Sequence, residues 1–217
     1  MGMIGEAAGN ILRLPEVLGV TTFDNRMVRI STGQLDAVLN QATSATLKAR
    51  DLVAGRCQSD LTTSLESASW SAAQCLDHLA QTTNAFIPAI SSAIAHAPHL
   101  TTNRALRTGA LTGLFIRNLE PPHRLRFKVL APLVPRRRDF DSAWRAFEES
   151  QVQLGKTIRS AAGLAIDQAK VESPVYARFS YNVYGALCML TAHERRHLWQ
   201  IEQILKALDG TPPRDAS

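Results

Sequence analysis

The chain has few cysteines, and their placement suggests no shared role. Only three occur in 217 residues, Cys57, Cys75 and Cys188, and no two of them form a C-x-x-C pair. An odd number in unrelated contexts argues against a disulfide framework and against a thiolate zinc site. We therefore expect a reducing compartment, and the predicted location is the cytoplasm.

Long hydrophobic runs are also missing. No apolar run reaches the roughly 18 residues that a membrane span needs. The first residues lack the basic start, apolar core and cleavage site of a secretion signal, and Glu6 stands where a myristoylation signal has Ser or Thr. We expect no membrane partner. With 45% apolar and 20% charged residues, the composition is typical of a globular protein.

Acidic residues are nearly absent from residues 101–138. This segment has nine Lys and Arg against Glu120 alone, a local net charge of +8 in a chain of net +5. The basicity therefore belongs to one segment, and the few aromatic residues beside it, Phe127 and Phe140, argue against nucleic-acid binding. Three readings stay open: a binding surface for an anionic substrate, a solvated insertion, or a homodimer contact.

No convincing strand pattern occurs, and helical periodicity predicts an all-α four-helix bundle with a long basic connection between helices 2 and 3. We expect an N-terminal tail or wrap over residues 1–30, the bundle over 31–208 and a C-terminal tail over 209–217. The predicted helices run from a cap at Ser31-Thr32-Gly33 to Gly55, from a capping box at Ser71 and Gln74 to His96, from Asp139 or Asp141 to Gly163, and from Phe179 to Leu208. Between them we expect a loop over 56–69, a short helix over 104–117 and an extended loop over 127–135.

Two histidines on the last predicted helix are the strongest functional signal. His193 and His197 are four residues apart and therefore lie on one helical face. At about 100° per residue they fall within roughly 40° of the apolar stripe that faces the core. The stripe comprises Ala186, Leu190, His193, His197, Ile201, Ile204 and Leu208. Buried imidazoles need partners, and a metal ion satisfies two at once.

His78 is the predicted third ligand, because it is the one other histidine inside a well-formed core helix. His96, His99 and His123 lie at a helix end or in the basic segment. A divalent ion held by three histidines keeps a position for water or substrate and can activate either. We expect zinc or nickel, although imidazole ligands also suit iron and copper and the sequence does not choose among these metals. A core histidine with a hydrogen-bond partner is the alternative for His78. Cys75, one turn earlier, is a further ligand to check.

Residues 193–197 also satisfy the H-E-x-x-H pattern of zinc proteases, in which the glutamate is the general base. The extended continuation of that motif and a downstream glutamate ligand are both missing here. Glu194 lies about 60° off the stripe, so it is a candidate for an acid–base or supporting role. Arg195 and Arg196 lie outside the stripe and are expected on the surface.

Taken together, these motifs resemble the DinB/YfiT-like metalloenzyme superfamily. The resemblance rests on Trp70-Ser71, on His78-Leu79, and on His193-x-x-Arg196-His197-x-x-Gln200-Ile201. It implies a four-helix bundle over roughly residues 33–208 that binds a divalent metal through His78, His193 and His197, near one end of the bundle.

The resemblance also suggests the chemistry, because the superfamily includes transferases and isomerases that use low-molecular-weight thiols. We expect a metal-dependent thiol transferase or a hydrolase acting on a small-molecule substrate, and an anionic thiol is one candidate. The alternatives are a catalytically idle metal-binding or stress-linked module and, less favoured, an H-E-x-x-H protease.

Overall fold

The computed structural model describes residues 28–66, 69–102, 104–122, 129–136, 139–176 and 178–210. The tails were predicted for residues 1–30 and 209–217, and their residues 1–27 and 211–217 lie outside this part of the chain. The described elements are α1 (Val28–Val53), α2 (Gln58–Thr62), α3 (Ala72–Ala95), α4 (Ala110–Leu119), a 3-10 turn (Ala131–Leu133), α5 (Phe140–Ser160), β1 (Lys170–Glu172), β2 (Ser180–Asn182) and α6 (Val183–Asp209).

Four long helices form the body of the protein. Helices α1 and α3 each pack against both α5 and α6, and the smaller α4 packs on α6. This arrangement confirms the all-α prediction of a bundle whose second and third long helices, α3 and α5, are joined by a long connection.

The apolar core is divided into two clusters at different levels of the bundle. One joins the end of α3 to the start of α6 through Phe86, Ile90, Leu187 and Leu190. The other joins the start of α3 to the end of α6, with residues that include Leu76, Leu79, Leu198 and Ile201. Helices α3 and α6 are therefore antiparallel.

Two of the long helices start at residues that differ from the predicted ones. Helix α1 begins at Val28, so Ser31 lies inside the helix and the predicted cap at 31–33 is wrong. Helix α6 begins at Val183, after Asn182 accepts a hydrogen bond from the Gly185 backbone N–H. Ser180–Asn182 instead pairs with Lys170–Glu172 in a two-stranded antiparallel sheet, too short to show alternation in the sequence.

The segments between the long helices also contain more structure than predicted. The expected loop over 56–69 contains α2. The short helix expected over 104–117 starts later, at Ala110, because Gly109 has a φ of 82° that no helix continues through. Helix α4 then lies close to α6 at Gly185, where a Cβ atom would come within 2.7 Å of the Thr108 carbonyl oxygen.

The start of α3 confirms the predicted capping box. The Ser71 hydroxyl accepts a hydrogen bond from the Gln74 backbone N–H at 3.3 Å, and the Gln74 side chain accepts one from the Ser71 N–H at 3.0 Å. Pro88 lies within α3, which continues to Ala95. Among the described residues, no helix combines the length and the apolar character needed to cross a bilayer.

Replacing Ser71 with Ala should destabilise the protein by about 1 kcal/mol, because it removes the hydroxyl that accepts the Gln74 backbone N–H and leaves only the second hydrogen bond of the capping box. Ser91→Ala, at an exposed position of the same helix, is the matched control and should cost far less. Denaturant unfolding of the two variants measures the difference. Equal free energies of unfolding for the two variants would show that the Ser71 hydroxyl contributes nothing to stability.

Candidate metal centre

His78, His193 and His197 meet between α3 and α6. The Nε2 atom of His193 lies 3.2 Å from that of His78 and 3.1 Å from that of His197. The three form a group that could hold a metal ion, with their ligand nitrogens all within 4.8 Å of one another. The antiparallel packing of the two helices therefore brings together the three histidines that the sequence singled out.

Two of the three rings are oriented by hydrogen bonds on their far side. The Nδ1–H of His78 donates to the Leu133 carbonyl oxygen at 2.7 Å, and the Nδ1–H of His197 donates to Gln200 Oε1 at 3.0 Å. A neutral imidazole carries one proton, so both Nε2 atoms keep a free lone pair. Such partners are what fix the tautomer and the ring orientation of a metal-binding histidine.

Burial keeps the three imidazoles neutral. His78 and His197 are buried, and His193 is partly exposed. Burial lowers the pKa of His193 to about 3, and the nearby charges of His78 and Arg196 act in the same direction. Burial also lowers the pKa of His78, and that of His197 well below its ordinary value. Neutral imidazole is the form that coordinates a metal.

The spacing of the nitrogens fits a metal ion better than it fits hydrogen bonding. A proton on His193 Nε2 can be donated to only one of the two neighbouring Nε2 atoms, those of His78 and His197. At least one of these two close contacts therefore brings two lone pairs together. A tetrahedral ion with metal–nitrogen distances of about 2.0–2.1 Å separates its ligand nitrogens by about 3.3–3.4 Å. The observed 3.1 and 3.2 Å are close to that separation. The donor set therefore fits a divalent cation of the zinc type.

Trp70 covers one side of the trio. Its ring lies 4.7 Å from the ring of His78 and stacks on that of His197 at 5.7 Å, measured between ring centroids. From the sequence, Trp70 is most simply a core aromatic, and only the family motif marks it out. In the structure it packs on two of the three imidazoles, and His193 is the one residue of the trio that is partly exposed.

The basic connection takes part in the site through its backbone. Leu133, in the 3-10 turn, supplies the carbonyl that orients His78, and the Arg136 N–H donates to Asp77 Oδ2 at 2.8 Å. Two neighbouring residues of α3 therefore hold the end of the connection. The expected extended loop over 127–135 is described from residue 129, and there it includes this turn.

Arg196 corrects the expectation that both arginines of the motif lie on the surface. Its side chain is buried, and its Nη1 donates to the Asn118 carbonyl oxygen at 3.2 Å. The short helix α4, which ends at Leu119, covers this side of α6 and buries a charged residue that lies outside the apolar stripe. Arg195 is half-exposed and pairs with Glu120.

Glu194 is buried on another side of α6, facing α5. Its Oε1 accepts a hydrogen bond from Gln151 Nε2 at 2.7 Å, and its Oε2 makes no hydrogen bond with the described residues. Burial raises the pKa of this carboxyl to about 7, while the hydrogen bond from Gln151 acts to lower it. The catalytic role suggested for Glu194 stays a prediction.

The remaining candidates lie outside the trio. Cys75 is fully buried within the second apolar cluster and is not among the grouped ligands, and burial raises the pKa of its thiol. His96 follows the end of α3, and His99 forms an isolated bridge with Leu164. His123 lies outside the described residues. The sequence did not predict that Gln200 and the Leu133 carbonyl orient the histidine rings. Gln200 could have been found, because it is part of the family motif, whereas the Leu133 carbonyl has no signal in the sequence.

A four-helix bundle with a buried cluster of three histidines is the class of protein that these observations define. The family model for the DinB superfamily matches residues 30–201, and the chain belongs to that superfamily. No curated protein and no solved structure gives a match to the chain. The resemblance noted in the sequence is therefore confirmed. The position of the site near one end of the bundle, which the resemblance implies, stays a prediction.

Glu194→Gln should change the pH dependence of stability. Because the folded-state pKa of about 7 is above the ordinary value of 4.5, the protonated carboxyl stabilises the fold at low pH and this contribution is lost as the pH rises through 7. Relative to the wild type, the variant should gain about 2–3 kcal/mol between pH 5 and pH 8.

Denaturant unfolding of both proteins in their metal-free forms measures this difference. Glu149→Gln, at an exposed position of α5, is the control for the loss of one carboxyl group. A difference between Glu194→Gln and the wild type that stays constant from pH 5 to pH 8 would contradict the assignment.

Proposed function

We propose that this protein is a metal-dependent enzyme whose divalent ion, zinc or nickel, is held by His78, His193 and His197. The reaction class we favour is transfer involving a low-molecular-weight thiol, and hydrolysis is the second. The observation that carries the proposal is the convergence of three neutral Nε2 atoms, two of them with their tautomer set by a hydrogen bond on the far side of the ring.

The residues around the trio have separate tasks in this proposal. The Leu133 carbonyl and Gln200 hold two rings in the coordinating tautomer, and Trp70 keeps water from their inner side. When bound, a divalent ion would supply a Lewis acid that favours the deprotonated, nucleophilic form of a thiol or a water. The part of the site beside His193 is where a small substrate would approach, because His193 is the one residue of the trio that is partly exposed.

A catalytically idle metal-binding module is the second candidate, and the position of Glu194 favours it. Its carboxyl contacts Gln151 on α5, whereas the trio faces α3, so an acid–base group beside the open side is not evident among the described residues. The same placement speaks against the H-E-x-x-H protease, whose glutamate has to activate the water on the metal. Homodimer formation and a cytoplasmic location stay predictions.

The purified protein should bind about one divalent ion per chain, and His193→Ala or His197→Ala should abolish tight binding, since two imidazoles make a far weaker site than three. His96→Ala, at an exposed position, should retain the full metal content. Metal analysis after dialysis, combined with far-ultraviolet circular dichroism to verify folding, measures both.

The same proteins separate the two candidates. Turnover of a panel of thiol-conjugation and hydrolysis substrates that is lost with the metal supports the enzyme, and full metal content without turnover supports the idle module. A wild-type chain that neither contains nor takes up a divalent ion would contradict both.

A further inference from the structure

Two neighbouring residues of α3 hold the same short piece of the basic connection. The Nδ1–H of His78 donates to the Leu133 carbonyl oxygen at 2.7 Å, and three residues farther along the connection the Arg136 N–H donates to Asp77 Oδ2 at 2.8 Å. Asp77 and His78 are both buried, at 0% and 3% exposed. A residue of the trio and its neighbour in the chain therefore attach residues 133–136 to α3 at two points.

The backbone of residues 132–136 directs one donor to α3. The two prolines of this piece have no N–H. The N–H groups of Leu133 and Val134 bond to carbonyls within the 3-10 turn itself. Of the N–H groups in residues 132–136, the one that reaches α3 is therefore that of Arg136, and Asp77 is its acceptor.

Pro135 keeps the two attachment points at a nearly fixed separation. Its ring restricts its own φ and disfavours the helical conformation for Val134, which is extended with a ψ of 126°. The two residues between Leu133 and Arg136 therefore allow little rotation. Release of the Arg136 N–H should displace the Leu133 carbonyl, because each attachment raises the effective concentration of the other.

Gln81 supports the Asp77 carboxylate in this contact. Its Nε2 donates at 2.7 Å to Asp77 Oδ2, the same oxygen that accepts from Arg136. Gln81 lies one turn after Asp77 on α3, so the carboxylate is oriented from within the helix. Hydrogen bonds to an ionised acceptor are stronger than those between neutral groups. Asp77 is therefore a well-fixed acceptor for the connection.

We propose that Asp77 is a positioning residue of the metal centre, which keeps the Leu133 carbonyl on His78 by holding the Arg136 N–H. The inference rests on the proposed function, of which it uses the metal site alone. The Nδ1–H of an imidazole becomes a stronger donor when its Nε2 is coordinated. Metal binding and the attachment of the connection should therefore stabilise each other, and linkage requires that each does so by the same factor.

The first test needs no variant. Amide hydrogen exchange of Arg136, followed by NMR in the metal-free and the zinc-loaded full chain, measures how tightly Asp77 holds this N–H. We expect exchange to be about tenfold slower with zinc, since the outer partners of ligating histidines change metal affinity by about that factor. The Ser142 N–H, which donates to Asp139 at 2.9 Å, is the matched control and should exchange at the same rate in both forms.

Two variants of Asp77 separate hydrogen bonding from packing. Asp77→Leu keeps the volume without an acceptor and should weaken zinc binding about tenfold. Asp77→Asn keeps a carbonyl oxygen for the Arg136 N–H and should stay within about threefold of the wild type. Asp139→Ala removes a carboxylate that accepts a backbone N–H within α5, and it should bind zinc as the wild type does. Competition with a chromophoric chelator measures the affinities, and circular dichroism verifies folding.

The outcomes distinguish this inference from the proposed function. Wild-type protein that binds no zinc contradicts the metal site, and the inference with it. Zinc binding that is as tight in Asp77→Leu as in the wild type overturns the positioning role and leaves the metal site standing. Equal losses in Asp77→Leu and Asp77→Asn also overturn it, because the charge of the carboxylate would then be responsible and not its hydrogen bond.

The exchange measurement decides if Asp77→Leu does not fold. Exchange of the Arg136 N–H that is slowed by zinc while the Ser142 N–H is unchanged supports the positioning role. Equal rates for Arg136 in the two forms, or equal slowing of both amides, overturn it, because zinc would then have no specific effect on the attachment of the connection.

Discussion

The burial of three imidazoles between α3 and α6 is the constraint on which the rest of the structure depends. A buried polar ring has to be satisfied on both nitrogens, and here His78 and His197 are satisfied on one nitrogen by the Leu133 carbonyl and by Gln200. Their other nitrogens then converge with that of His193 as lone pairs, an arrangement that is repulsive alone and favourable around a cation. The same two hydrogen bonds therefore set the tautomers, the ring orientations and the kind of ligand.

The long connection has a structural task that its basic composition does not reveal. Its end is held by neighbouring residues of α3, because His78 binds the Leu133 carbonyl and Asp77 binds the Arg136 N–H. Earlier in the connection, α4 packs on α6, and the Asn118 carbonyl of α4 accepts a hydrogen bond from Arg196. The connection therefore supplies one backbone acceptor to the trio, at His78, and another to Arg196 beside it, whatever its exposed arginines bind.

The sequence predicted the parts of the site that follow from periodicity. The spacing of His193 and His197 on an apolar stripe is a property of any α-helix, and the Ser71–Gln74 capping box marks the helix that carries His78. The role of Leu133 was not predictable, because a backbone carbonyl leaves no side-chain signal. Arg196 was misplaced because α4 covers a side of α6 that the stripe leaves polar. The cap at Ser31 failed because capping residues are also tolerated inside a helix that tertiary contacts stabilise.

The central claim is that these three histidines, and no thiolate, are the protein ligands of one ion. X-ray absorption spectroscopy of the zinc-loaded full chain tests it most directly, since imidazole nitrogen and cysteine sulfur scatter at different distances. We predict three imidazole nitrogens at about 2.0–2.1 Å and no protein sulfur at about 2.3 Å, measured without added thiol. A sulfur ligand, or fewer than three imidazoles, would contradict the account.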